Sequence, residues 1–129
     1  MLKKDRWKTL GVVLSFLVVI AILLVVNVNR FLYLKRRVNY YVGLENEIIK
    51  ASEVYYSNNL NFLPKDDGKK RVVLNALVVE GYIKKVLDIN NKECDLFKSY
   101  VEVVKDSDDY IYKVHLVCNN DNYITGKEE

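Results

Sequence analysis

The sequence predicts an α+β chain in which a long N-terminal helix, first transmembrane and then amphipathic, packs on a small antiparallel sheet. Three observations predict it. Residues 9–29 hold no ionisable side chain; residues 34–56 carry apolar side chains at helical spacing; and two runs rich in Val, Ile and Tyr bracket the turn sequence Asp106-Ser107-Asp108-Asp109. At 129 residues there is room for one small domain beside the apolar segment.

The apolar segment comes first. Within residues 10–28 every position is Leu, Ile, Val or Phe except Gly11, Ser15, Ala21 and Asn27. At about 1.5 Å per residue this stretch covers roughly 28 Å, close to the hydrocarbon core of a bilayer. Leu, Ile, Val and Phe each favour insertion by about 0.3–0.6 kcal/mol, so the run as a whole favours it by several kcal/mol. A cleaved secretory signal is the rival. It would have a shorter apolar region followed by a small-x-small site, whereas Val25-Val26-Asn27-Val28-Asn29-Arg30 follows here. The segment therefore predicts a retained single-pass anchor.

Charge and cysteines bear on orientation. Lys3, Lys4, Arg6 and Lys8 precede the segment, with Asp5 alone against them; Arg30, Lys35, Arg36 and Arg37 follow it. The positive-inside bias is thus nearly balanced. Cys94 and Cys118, the only two cysteines, fall beyond the segment in no CxxC or metal-type cluster. One well-separated pair in a small domain points to a disulfide and an oxidising compartment, the alternative being two unrelated buried thiols. The predicted layout is a cytoplasmic basic tail over residues 1–8, a transmembrane helix over 9–29 and an extracytoplasmic domain over 30–129.

The net charge of +3 resides in the tail, since residues 9–129 hold as many basic as acidic side chains. Setting aside Arg30, Lys35, Arg36 and Arg37 leaves residues 38–129 with 12 basic and 16 acidic side chains, a net of −4. Phosphate neutralisation supplies most non-specific nucleic-acid affinity, so this sign argues against nucleic acid as a partner.

Beyond the anchor, Leu34, Val38, Tyr41, Val42, Ile48, Ile49 and Tyr55 form a stripe, with Glu45, Glu47, Lys50 and Glu53 set largely opposite. A helix over residues 30–58 follows, ended by Asn58-Asn59 and Pro64. Residues 64–71 read as a polar loop and Val72-Val73-Leu74 as a short apolar run. Asn75 reads as the cap of a brief helix over 75–80, with Gly81 just past its end. Residues 87–97 read as loop. A hairpin is expected over 100–118, with strands over 100–105 and 110–118. In the second strand Tyr110, Tyr112, Val114, Leu116 and Cys118 would face the helix, and Ile111, Lys113, His115 and Val117 would face away. The polar residues after Asn119 are expected to fray.

This order of elements resembles type IV pilins and the pseudopilins of type II secretion and competence systems. The matching segments are Ala51-Ser52-Glu53-Val54-Tyr55-Tyr56, Leu77-Val78-Val79-Glu80-Gly81-Tyr82-Ile83, and the spacing Cys94…Ser99-Tyr100-Val101-Glu102-Val103…Tyr110…Cys118. They are similar to segments of small pilin-like proteins from Gram-positive-type bacteria. The resemblance implies a pilin-like fold and a membrane-anchored structural or accessory subunit of an envelope machine, with other pilin-like or assembly proteins as partners. One departure is plain. Prepilins carry Gly and then Phe-Thr-Leu-x-Glu at the helix start, whereas Gly11 is followed by Val12-Val13-Leu14-Ser15-Phe16. Gly11 is thus either a degenerate cleavage site or simply a small residue in a transmembrane helix.

Signs of enzymatic chemistry, of a cofactor or of a small-molecule substrate are lacking. His115 is the only histidine and has no Ser or Cys at a recognisable spacing. Asp66-Asp67-Gly68 and Asp106-Ser107-Asp108-Asp109 offer oxygens but complete no calcium loop, and carboxylates in turns usually serve turn geometry. Packing is expected to explain at least one of each pair Tyr40-Tyr41 and Tyr55-Tyr56. A membrane-anchored extracellular binding or regulatory module is the alternative to the pilin-like role.

Overall fold

The computed structural model describes residues 2–126, with side chains from Asp5 onward. The Lys3 and Lys4 side chains and the final Lys127-Glu128-Glu129 of the expected frayed tail lie outside the described residues. The chain divides into two compact units, with the boundary between Val38 and Asn39.

Helix α1 is continuous from Leu2 to Asn58. In the first unit it is a single helix whose described large apolar side chains are all exposed. In the second unit its buried residues are Tyr41, Ile48, Ala51, Ser52 and Tyr56. Their spacings of seven, three, one and four residues keep them along one face. Ile48 is 1% exposed while Ile49 is only half-buried, which fixes which isoleucine faces the core. The small Ala51 and Ser52 leave room for close packing, and the Ser52 hydroxyl donates to the Ile49 carbonyl at 2.7 Å, so its burial strands no polar group. At the helix end the Asn59 side-chain amide donates to the Tyr55 carbonyl at 2.8 Å, satisfying one of the last free carbonyls. Tyr41 and Tyr56 are the buried members of the two tyrosine pairs. The expected stripe is corrected: Tyr56 rather than Tyr55 carries the burial, and Leu34, Val38 and Val42 are exposed.

A three-stranded antiparallel sheet has the order β1-β2-β3, from β1 (Lys69–Val73), β2 (Tyr100–Asp106) and β3 (Asp109–His115). The hairpin closes at Asp106 opposite Asp109, with Ser107 at φ 56°. Val101 and Val103 on β2 are fully buried, and Tyr110, Tyr112 and Val114 on β3 pack beside them, as the alternation predicts.

Strand β1 corrects the loop expected over 64–71. Lys69, Lys70 and Arg71 pair with Val104, Val103 and Glu102 of β2. It is an edge strand of the sheet, where lysine and arginine are well tolerated and hide the strand pattern. The loop before it does carry turn chemistry: Asp66 and Asp67 both have positive φ, and the Gly68 N–H donates to the Lys65 carbonyl. A Cβ on Gly68 would come within 2.7 Å of that carbonyl oxygen, so the position takes glycine for want of space.

Helix α2 (Leu74–Val79) follows β1 without a loop and starts one residue earlier than expected. Asn75 does not cap it. The Leu74 and Asn75 N–H groups instead donate to the Ser99 and Leu96 carbonyls, so the free donors of the first turn are taken by another segment. Its end is as expected: Gly81 has φ 81°, with Tyr82 N–H bonded to the Leu77 carbonyl and Gly81 N–H to that of Val78, a Schellman closure.

The last expected strand breaks in two. After β3 the chain turns at Leu116, and β4 (Val117–Cys118) pairs with β5 (Tyr123–Ile124) in a second, two-stranded sheet. Val117, expected to face away, is therefore buried. Residues 119–126 are correspondingly structured rather than frayed: a 3-10 turn over Asn119–Asp121, then Asn122 at φ 51°, leads into β5.

Candidate functional site

Two features stand out, one in each unit. The first is the apolar segment. From Leu10 to Val28 each large apolar side chain is about half exposed or more, among them Phe16 at 66%. Such a surface is unfavourable in water and matches lipid in length and composition. α1 is the one helix among the described residues that is long and apolar enough to cross a membrane. Gly11 lies on it with open space where a Cβ would stand, so packing within the chain does not require glycine there.

The second feature is the brace at the end of the chain. The Cys94 and Cys118 sulfurs are at disulfide-bonding distance, with Cα atoms 4.2 Å apart, and both residues are buried. Hydrogen bonds run beside the sulfurs. Asp95 N–H donates to the Val117 carbonyl at 2.8 Å, and Val117 N–H donates to the buried Ser99 hydroxyl at 2.9 Å. The Asp95 carboxylate accepts from the N–H groups of Phe97 and Lys98 and from the Asn119 amide. The Lys98 N–H bond leads in holding this carboxyl below its ordinary pKa.

Beyond Cys118 the chain is strapped to α1. The Tyr123 hydroxyl donates to Glu45 Oε1, and the Thr125 hydroxyl donates to the same oxygen at 2.8 Å while accepting from Leu116 N–H. Tyr41 stacks on Tyr123 with ring centres 3.8 Å apart, and its hydroxyl donates to Asp121 at 2.6 Å. Glu45, expected on the solvated side of the helix, is therefore half-buried. Three hydrogen-bonding residues some eighty positions downstream reach α1, a juxtaposition that helical spacing could not show.

No protein-family model, curated protein or solved structure matches this chain.

Several other polar and aromatic groups make contacts within the sheet. His115 stacks on its cross-strand partner Tyr100 with ring centres 4.9 Å apart, and the Arg71 guanidinium lies 4.3 Å from the centroid of that same Tyr100 ring. Arg71 also pairs with Glu102 at 3.2 Å. This is a surface ladder of side chains across three strands. Among the described residues no group of three or more His, Cys, Asp or Glu is placed to hold a metal ion. Asp88 is buried; its Oδ1 accepts from the N–H groups of Asn90 and Lys92 and so shapes the 88–92 turn, while Oδ2 is buried with no hydrogen-bond partner among the described residues. Asp88-Ile89-Asn90-Asn91 is ordinary turn sequence, and its burial carried no signal in the pattern.

Buried phenols make the fold sensitive to alkali. Burial pushes the Tyr56 hydroxyl up to about 12, with Tyr55 and Tyr112 adding to the rise. Burial also raises Tyr41, followed by its bond to Asp121. An unfolded tyrosine ionises near 10. The unfolded chain thus loses these protons first, and their stabilising contribution is complete below about pH 10 and lost as pH rises through about 12. Circular dichroism is expected to show constant stability from neutrality to about pH 10 and a steep decline above it, with phenolate absorbance rising as structure is lost. Phenolate absorbance that is complete while the dichroism is still native would contradict the burial of Tyr41 and Tyr56.

Proposed function

We propose that the chain is a single-pass, membrane-anchored, pilin-like structural or accessory subunit of an envelope machine, with its N-terminal tail in the cytoplasm and its disulfide-braced domain outside. The observation that carries this reading is that one helix, α1, supplies both the uncovered apolar segment and the core-forming face of the domain. The resemblance in element order supports it, as does the late disulfide, which favours an oxidising compartment.

The subunit is proposed as a minor, permanently anchored member rather than a fibre-forming one. No acid occurs between Asp5 and Glu45, and Phe16 stands where a filament subunit would place its carboxylate. A charge inside the bilayer costs about 3 kcal/mol and is kept only where a partner compensates it, so this helix lacks such a register-setting contact. Two readouts test the proposal in cells with an active prepilin peptidase. Crosslinking followed by purification is expected to recover pilin-like proteins or an assembly platform, and intact mass is expected to show the basic tail still attached. A product beginning at Val12 contradicts permanent anchoring. Recovery of the chain alone contradicts the role in an assembly and leaves a solitary binding module.

A further inference from the structure

The stretch just past the apolar segment mixes two kinds of exposed side chain. Phe31, Leu32, Tyr33 and Leu34 are 64%, 44%, 51% and 40% exposed. Arg30, Lys35 and Arg36 are exposed among them, while Arg37 is buried. Bulk water suits the cations but not Phe31 or Leu32, and hydrocarbon suits the reverse. A headgroup layer suits both, with apolar groups toward the acyl chains and cations at the phosphates. Trp7, 75% exposed, occupies the matching place at the other end. From Trp7 to Tyr33 the helix covers about 39 Å, against about 40–45 Å for a bilayer with its headgroups.

The three exposed cations are also spread around the helix. At about 100° per residue, Arg30, Lys35 and Arg36 stand about 140°, 100° and 120° apart. A protein partner approaching from one side would meet one of them, whereas a shell of lipid meets all three. We propose that Arg30, Lys35 and Arg36 form a cationic collar that gathers anionic phospholipid headgroups around the helix on the domain side of the membrane. Arginine suits this role because its planar guanidinium grips two phosphate oxygens, and lysine adds a point charge. The collar is the source of such attraction on that side, since residues 38–129 carry a net −4 and are repelled by an anionic surface.

The collar rests on the anchored reading above, and one experiment separates the two. Full-length protein with Lys3, Lys4, Arg6 and Lys8 changed to Gln is reconstituted into mixed phosphatidylcholine and phosphatidylglycerol vesicles. This removes the contribution of the opposite end of the helix. Acyl-chain spin labels on each lipid then report which is immobilised at the protein. Phosphatidylglycerol is expected to be preferred by about fivefold or more, the scale set by one basic residue near an anionic surface, and the preference is expected to fall as salt is raised. Adding R30Q, K35Q and R36Q is expected to abolish it while leaving the dichroism of the domain unchanged. Protein that inserts and prefers neither lipid, or whose preference survives the triple change, overturns the collar alone. Protein that fails to float with the vesicles overturns the anchor and the collar with it.

Discussion

Replacing Ile48 by Ala is expected to destabilise the domain by about 2–5 kcal/mol, the usual range for a buried aliphatic residue cut back to alanine. Ile48 is 1% exposed and belongs to the same buried cluster as Tyr41, Ala51, Val101, Val103 and Leu116. Truncation removes three carbons from that cluster and leaves a cavity between α1 and the sheet. The adjacent Glu47 is exposed, and Glu47→Ala is expected to cost less than about 0.5 kcal/mol. Denaturant melts of the two variants beside the parent provide the comparison. Equal effects would mean that α1 does not present this face to the sheet.

Loss of the Cys94–Cys118 bridge has an expected effect of similar size. The two residues are 24 positions apart, and closing a loop of that length is worth about 3 kcal/mol in the chain-entropy account. Substituting both by Ala also empties buried volume, since both belong to the core cluster. A domain of this size has little core to spare, so a loss on this scale brings it close to unfolding. The double substitution is expected to lower the melting temperature by well over ten degrees, whereas Phe97→Ala, an exposed change in the same loop, is expected to leave it unmoved. Two alkylatable thiols in protein taken from native membranes would contradict the bridge itself.

The parts of this fold that were legible in the sequence are those with local causes. The apolar segment, the helical stripe through Tyr41 and Ile48, the hairpin at Asp106–Asp109 and the helix stop at Gly81 each arise from neighbouring residues. Strand β1 was hidden because Lys69-Lys70-Arg71 sits at a sheet edge, where pairing to β2 rather than hydrophobic alternation makes the strand. The second sheet was hidden for a related reason: β4 and β5 have two residues each, too few for any periodicity, and the strap depends on Glu45 meeting Tyr123 and Thr125. Asn75 looked like a helix cap because sequence cannot show that the Ser99 and Leu96 carbonyls already take the first-turn donors. The disulfide was legible as a pair of cysteines, and its bracing by Asp95, Ser99 and Val117 was not.

In the proposed topology α1 crosses the membrane once and leaves the braced domain outside. Protease treatment of intact spheroplasts, followed by mass spectrometry of the membrane pellet, tests it most directly. The expected product is a membrane-retained fragment that begins with the basic tail and includes residues 9–29, with the Cys94–Cys118 region cleaved or released. A chain that stays intact until the membrane is opened, and is then cleaved, would place the domain inside and contradict the claim.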